Sequence, residues 1–276
     1  MKFGIVLTLN DARKTADVAQ LAEKAGWDGF FVGDAIWIVD PIVALTAAAM
    51  TTSRIHLGIM LIPMPLRRPW KVASETAGLD NLSGGRLILG LGTGAVWMGW
   101  QGFPDEVTDT KVRAEMLDEG IDILTLMYRG KQFDYDGKHY HVRLTLVDEM
   151  YYPPPPLQKP RIPLWVVGAW PRMKSMKRVL KCDGLIPLKM NQEGKFEEVL
   201  PADIREMKAY VDANRTLQTP FDIVVEGRTM GLDRAQMRDK IHPWIEAGAT
   251  WWIENPGGES EDRILTRIRQ GPPKLE

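Results

Sequence analysis

The sequence predicts an α/β protein, a closed (β/α)8 TIM barrel with one insertion between strands 4 and 5. Three observations carry this. Short β-rich apolar runs and helical stretches alternate eight times. The length, 276 residues with 45% apolar composition, suits one such barrel, whereas an open doubly wound sheet of this length normally has fewer strands. The rhythm breaks once, over residues 93–161, and then resumes. The reading is therefore a single domain over 1–276, with 93–161 as a long excursion that covers or shapes the barrel mouth.

The elements follow in order. The first apolar run is Phe3–Leu7, followed by an amphipathic helix over Thr15–Ala25 that Gly26 stops. The second run is Gly29–Val32. Asp40-Pro41 then opens a helix to Met50, with Asp as N-cap and Pro at the first helical position. The third run is His56–Leu61, and Pro69 starts a helix ending near Leu82. Ser83-Gly84-Gly85 turns into the fourth run, Leu87–Leu91. Within the excursion, Asp109–Tyr128 reads as a helix and Lys131–Val147 as a hairpin turning at Asp136-Gly137. Pro153–Pro156 reads as a polyproline spacer. Four more pairs complete the count: Leu164–Val167 with Pro171–Cys182, Leu185–Leu188 with Pro201–Asn214, Phe221–Glu226 with Asp233–Ala247, and Trp251–Glu254 with Ser260–Arg269.

Composition removes several classes of function. Lys plus Arg is 35 and Asp plus Glu is 36, so the net charge of −1 gives no nucleic-acid footprint. One cysteine, Cys182, forms no intrachain disulfide, and four histidines leave little for a metal site. His139 and His141 share a strand face, but without a third ligand they read as hairpin packing. The longest apolar run, Gly58–Pro65, is too short for a bilayer, and the N-terminus lacks the features of a signal peptide. The expectation is a cytoplasmic protein with no nucleic-acid or membrane partner. No Ser-His-Asp order, Gly-x-Ser-x-Gly elbow or Walker loop supplies a hydrolytic nucleophile. Gly90-Leu91-Gly92-Thr93-Gly94 lacks the G-x-G-x-x-G spacing of a dinucleotide loop. Its glycines instead allow close backbone approach.

In such barrels the chemistry sits where the strands end. That rule selects Asp34 and Trp37 after the second strand, Arg67, Arg68 and Trp70 after the third, and Thr93, Gly94, Trp97 and Trp100 after the fourth. Later strands contribute Gly168, Ala169, Trp170 and Arg172, then Lys189, then Glu226 and Arg228, then Glu254 and Asn255. Five of the ten tryptophans fall in this set, and flat apolar walls suit a flat aromatic ligand, with Trp37, Trp97 and Trp100 as pocket walls. Arg172 and Lys189 are candidates for a phosphate beside the turn Gly168–Pro171, whose backbone amides would face it. Lys174, Lys177, Arg178 and Lys181 read instead as a solvated helix face. Asp34 has three readings: it takes a proton, accepts a ligand hydroxyl, or pairs with Arg68. Glu226 divides between chemistry and structure in the same way.

These residues resemble a known family. Ala25–Asp34 (AGWDGFFVGD), Leu57–Pro63 with Arg67-Arg68-Pro69, Leu79–Arg86, Leu89–Gly94, and Pro163–Gly168 with Cys182-Asp183-Gly184 occur in an order similar to that of the bacterial luciferase-like flavin-dependent oxidoreductases. The resemblance implies reduced FMN, or the deazaflavin coenzyme F420, across the barrel mouth. It places the ring at Asp34, Met60, Leu61, Thr93 and Gly94, and the phosphate near Gly168–Arg172 and Lys189. It also implies a non-proline cis peptide at Met60–Leu61 and a homodimer. The first reading is reduced FMN with oxygen, which would make the protein a monooxygenase of a small organic substrate, with a separate flavin reductase as its partner. F420 would make it a reductase or dehydrogenase. A non-catalytic flavin-binding protein is the third reading. Two positions depart from the family: Ala35 stands where many members carry His, and Ala95-Val96 where deazaflavin dehydrogenases often carry an acid. Asp34 and Glu226 remain as the candidate catalytic residues.

Overall fold

The computed structural model describes residues 1–152 and 154–275. The proline spacer therefore begins, at Pro153, outside the described residues. Eight parallel strands close into a barrel: β1 (Lys2–Leu7), β2 (Gly29–Val32), β3 (His56–Pro63), β4 (Leu87–Gly92), β7 (Leu164–Trp170), β8 (Gly184–Met190), β10 (Asp222–Gly227) and β11 (Trp251–Glu254). Each pairs with the next, and β11 pairs back to β1 with Lys2 opposite Trp251. Three short strands lie outside the barrel: the hairpin pair β5 (Asp134–Asp136) and β6 (His141–Arg143), and β9 (Phe196–Glu197), which folds back antiparallel on β8.

Eight helices ring the barrel: α1 (Ala12–Lys24), α2 (Pro41–Thr51), α3 (Pro69–Ser83), α4 (Thr110–Met127), α5 (Met173–Val179), α6 (Pro201–Asn214), α7 (Arg234–Ala247) and α8 (Glu261–Arg269). Their starts follow local chemistry. Asp40 caps α2 by accepting from the Ile42 amide at 2.8 Å, with Pro41 behind it. Helix α1 starts three residues before the expected Thr15 because Asp11 caps it, accepting from Arg13 and Lys14. Helix α5 opens two residues late and ends at Val179, leaving Cys182 beyond it as a fully buried thiol. Burial pushes that thiol up to about 12, so it behaves as a small apolar side chain. No described helix is long and apolar enough to cross a membrane.

The lower barrel is plugged by aromatic rings. Phe31 stacks on Trp165 at 5.4 Å between centroids, and Trp165 meets Trp251 edge-on at 5.3 Å. All three are completely buried, each contributing on the order of 3 kcal/mol through the apolar area it removes from water. The plug needs room, and Gly58 on β3 provides it: a Cβ there would lie 2.4 Å from the Phe31 ring. Val6, Met60 and Val167 pack on the upper side of this layer.

The excursion between β4 and β7 divides in two. Among the described residues, its first part, as far as Trp100, lines the mouth, and Thr110–Met127 joins the helical ring as α4. The β5–β6 hairpin clamps onto α4, where the Glu119 carboxylate accepts from the amides of Lys138, His139 and Tyr140. Its turn spans residues 137–140 rather than two residues at Asp136-Gly137. His139 lies in that turn against Glu115, while His141 lies on β6 against Asp136, so the two do not share a strand face. Arg178 does not belong to a solvated face either: it is buried and grips Asp118 of α4 at 2.6 Å, tying α5 to the excursion.

Candidate active site

A cavity of about 700 Å³ opens at the C-terminal ends of the strands. That size falls in the range that holds a drug-sized ring system. Val6, Met60 and Val167 form its floor above the aromatic plug. Asp34, Glu226 and Glu259 supply its charge, and among the described residues no lysine or arginine lines it. The peptide Met60–Leu61 within it is cis, as the resemblance implied.

Strand β4 ends in a backbone cradle. Gly94 has φ +71°, a left-handed conformation that glycine adopts freely, and a Cβ there would lie 2.6 Å from Pro63 Cβ. Arg113 of α4 holds this turn. The residue is 1% exposed, and its guanidinium donates through Nε to the Thr93 carbonyl at 2.9 Å and through Nη1 to the Val107 carbonyl at 2.7 Å. Sequence reasoning missed Arg113, because its partners are backbone carbonyls that leave no pattern.

Asp34 sits at the rim with its carboxylate only 6% exposed. Its partner is Arg67, not the expected Arg68. Arg67 donates Nε to Oδ2 at 2.8 Å and Nη2 to Oδ1 at 3.1 Å, and reaches Asp40 with Nη2 at 2.9 Å. Arg68 turns away and lies over the Trp70 ring. Burial pushes the Asp34 carboxyl above the usual carboxylate range, and the Arg67 fork draws it only part of the way back. Burial works against the Arg67 charge, but two carboxylates outweigh it and hold that guanidinium firmly protonated. The Arg67 guanidinium thus bridges two carboxylates at the rim.

The other expected residues divide. Met60, Leu61, Thr93, Gly94 and Trp100 line the cavity with Asp34. Glu226 also lines it, solvent-exposed, accepting from Asn255 Nδ2 at 3.0 Å. Trp37 and Trp97 are 77% and 74% exposed and do not line the cavity. Trp70 lies in α3 against Tyr140, and Trp170 donates to Glu206 and packs on Tyr210. Glu254 is fully buried, accepting from the Thr229 amide at 2.7 Å, so it braces the fold and does not reach the mouth. Arg228 is engaged with Glu259 and the Gly257 carbonyl.

The expected phosphate residues lie around an adjoining hollow of about 430 Å³. Lys189 is ion-paired with Asp203 at 3.0 Å, and Arg172 donates to the Asn191 carbonyl at 3.0 Å. The Ala169 amide donates to Ser175 Oγ, the Arg172 amide donates to the Ala169 carbonyl and Pro171 has no amide hydrogen, so the turn does not present a row of free amides. An anion here must compete with Asp203 for Lys189. The cavity fits a flat ring by size and lining. The hollow beside it offers two basic heads, both already in local contacts.

Comparison with known proteins adds the following. The profile described as luciferase-like monooxygenase matches residues 1–270. A Mycobacterium tuberculosis protein, named as a coenzyme F420-dependent oxidoreductase, is 32% identical over 212 residues, covering 74% of this chain and 53% of its own length. The chain thus spans about half of that relative. Among solved structures, the coenzyme F420-dependent tetrahydromethanopterin reductase of Methanopyrus kandleri is similar with a TM-score of 0.73 and 19% identity, covering 100% of this chain and 99% of that one. The EDTA monooxygenase of Chelativorans sp. BNC1 is similar with a TM-score of 0.74 and 12% identity, covering 98% and 92%. At these identities the structural likeness speaks for the barrel fold alone.

Proposed function

This chain belongs to the luciferase-like monooxygenase family, and from that premise we propose that it is an F420-dependent oxidoreductase acting on a small organic substrate. The observation that carries the proposal is the cavity itself: an apolar floor at the strand ends, a cradle at Thr93-Gly94, and a buried carboxylate at the rim. A deazaflavin supplies a hydride to, or takes one from, a carbon of the substrate. Val6, Met60 and Val167 offer the ring an apolar face, and Thr93-Gly94 lets backbone approach its edge. Asp34 holds or gives up a proton at the rim, and burial suits it to that role by raising its affinity for the proton. Arg67 fixes its orientation. Arg172 and Lys189 would hold the cofactor's phosphate.

Hydride transfer by a deazaflavin calls for a group that holds or gives up a proton beside the ring, and Asp34 lines the cavity in that place. The tuberculosis relative supports the same cofactor.

The test is an equilibrium titration of the purified protein with F420 and, separately, with FMN, followed by turnover with each reduced cofactor. The expected result is micromolar F420 affinity, FMN at least about tenfold weaker, and substrate-dependent change in F420 absorbance. Tighter FMN binding, with oxygen consumption above the free-flavin background, would favour the monooxygenase and overturn the proposal. Binding of either cofactor without turnover on a broad panel would favour a flavin-binding protein.

A further inference from the structure

Three carboxylates line the mouth cavity, and their partners differ. Asp34 is held by the Arg67 fork. Glu259 is ion-paired with Arg263 at 2.6 Å and with Arg228 at 3.2 Å. Glu226 meets a neutral group instead, accepting from Asn255 Nδ2 at 3.0 Å. Asn255 is fixed in turn by the Gly257 amide, which donates to its Oδ1 at 3.1 Å. Among the described residues, Glu226 is thus the cavity-lining carboxylate without a cationic partner.

Aromatic faces supply a second, independent observation. Trp100 and Phe196 line the same cavity, and Phe196 on β9 is 68% exposed, which leaves much of its ring open. Successive side chains on a strand point to opposite faces. Phe196 accordingly lines the mouth, while its neighbour Glu197 lines the adjoining hollow with Arg172 and Lys189. The β8–β9 hairpin therefore separates the charges: the basic heads stand on its hollow side, and the carboxylates stand on its mouth side. A carboxylate attracts a positive charge, and an aromatic face attracts one through its quadrupole. Both select an organic ammonium. An anionic substrate would meet Glu226 with like charge and find no lysine or arginine on the described lining.

The place of Glu226 on the barrel separates recognition from chemistry. It lies near the end of β10, Asp34 follows β2, and β11 and β1 run between these strands. A charge held at Glu226 leaves the rest of a bound molecule to reach toward Asp34.

We propose that the mouth cavity takes substrates bearing a positively charged amine, held by Glu226 and the face of Phe196, with the reacting carbon turned toward Asp34. Glu226 is then the residue that sets the charge class of the substrate. This rests on the reading of the cavity as the substrate site of an oxidoreductase, and binding can be tested apart from that reading.

The test needs neither turnover nor cofactor. Choline and its uncharged isostere, in which carbon replaces nitrogen, share one shape and differ in charge. NMR titrations of the purified protein at millimolar ligand should show choline bound about tenfold more tightly. Glu226→Gln keeps the size of the side chain and its contact with Asn255. It should cut that preference to about threefold, the part owed to the rings, and leave the isostere's affinity unchanged. Phe196→Leu, at an exposed position, should weaken choline about two- to fivefold and again spare the isostere. Equal affinities in the wild type, or no detectable binding of choline, overturn the proposal. So does a preference that survives Glu226→Gln, because another group would then hold the charge. F420 titrations of the same protein report on the oxidoreductase reading separately. Cofactor binding without a choline preference removes only the amine class, and a choline preference without cofactor binding removes only the oxidoreductase reading.

Discussion

Arg67 serves two carboxylates at once, and this sharing sets the behaviour of the rim. Its fork holds Asp34 from one side, and burial works against the same carboxylate's charge. Because the folded pKa lies above the ordinary one, the contribution of Asp34 to stability is fully present below the ordinary carboxylate pKa. It is lost as pH rises through the raised value. Arg67→Met removes the attraction and keeps the desolvation, so the pH limb of activity assigned to Asp34 should move to higher pH. A pH–rate profile checks this, and an unmoved limb would detach Asp34 from the chemistry. A second residue-scale expectation concerns Arg113. Arg113→Met orphans the Thr93 and Val107 carbonyls and should cost about 2–4 kcal/mol in denaturant unfolding. These pairings explain what could and could not be read in advance. Asp34 is legible as a strand-end carboxylate in Val32-Gly33-Asp34. Which of two adjacent arginines meets it depends on the short 3₁₀ turn Met64–Leu66 that aims Arg67 inward, and no spacing rule conveys that. Lys189 looks free in sequence because its partner Asp203 lies 14 residues on, in α6.

At the scale of elements, the local signals carried well. Asp40-Pro41, Pro69 and Gly84 mark helix ends through chemistry confined to one turn, and those ends fall where expected. Signals that depend on packing did not carry. The tryptophans after the strands look alike in sequence, yet only Trp100 of Trp37, Trp97 and Trp100 lines the cavity. The difference comes from Gly99, whose φ of +108° turns the chain between Trp97 and Trp100. Trp100→Ala should therefore weaken cofactor binding by about 0.5–1.5 kcal/mol, the value of an aromatic contact. Trp97→Ala should leave it within about twofold, about 0.4 kcal/mol and so below that range. Fluorescence titration of both variants checks the contrast, and equal effects would mean that the mouth-lining segment moves on binding.

The whole molecule is a barrel whose lower half is structural and whose upper rim is available for chemistry. That division was legible in the alternation of strands and helices, since each run had to bury its apolar face and the right-handed crossover leaves one closed solution. The bracing beneath the rim was not. Glu254 and Arg267 are both fully buried and share Thr229, joining β11 to α8 across the barrel's seam. Glu254→Ala leaves Arg267 without its counter-charge and should cost about 3–5 kcal/mol, read as a lowered unfolding midpoint with cofactor affinity retained in the folded fraction. The central claim is that the mouth cavity holds the ring of a deazaflavin, and a crystal structure of the protein with F420 tests it most directly. The account predicts the ring on Val6, Met60 and Val167, one edge at Thr93-Gly94 and the carboxylate of Asp34 within hydrogen-bond reach. A ring bound elsewhere, or a cavity filled by another part of the chain when F420 is bound, would contradict it.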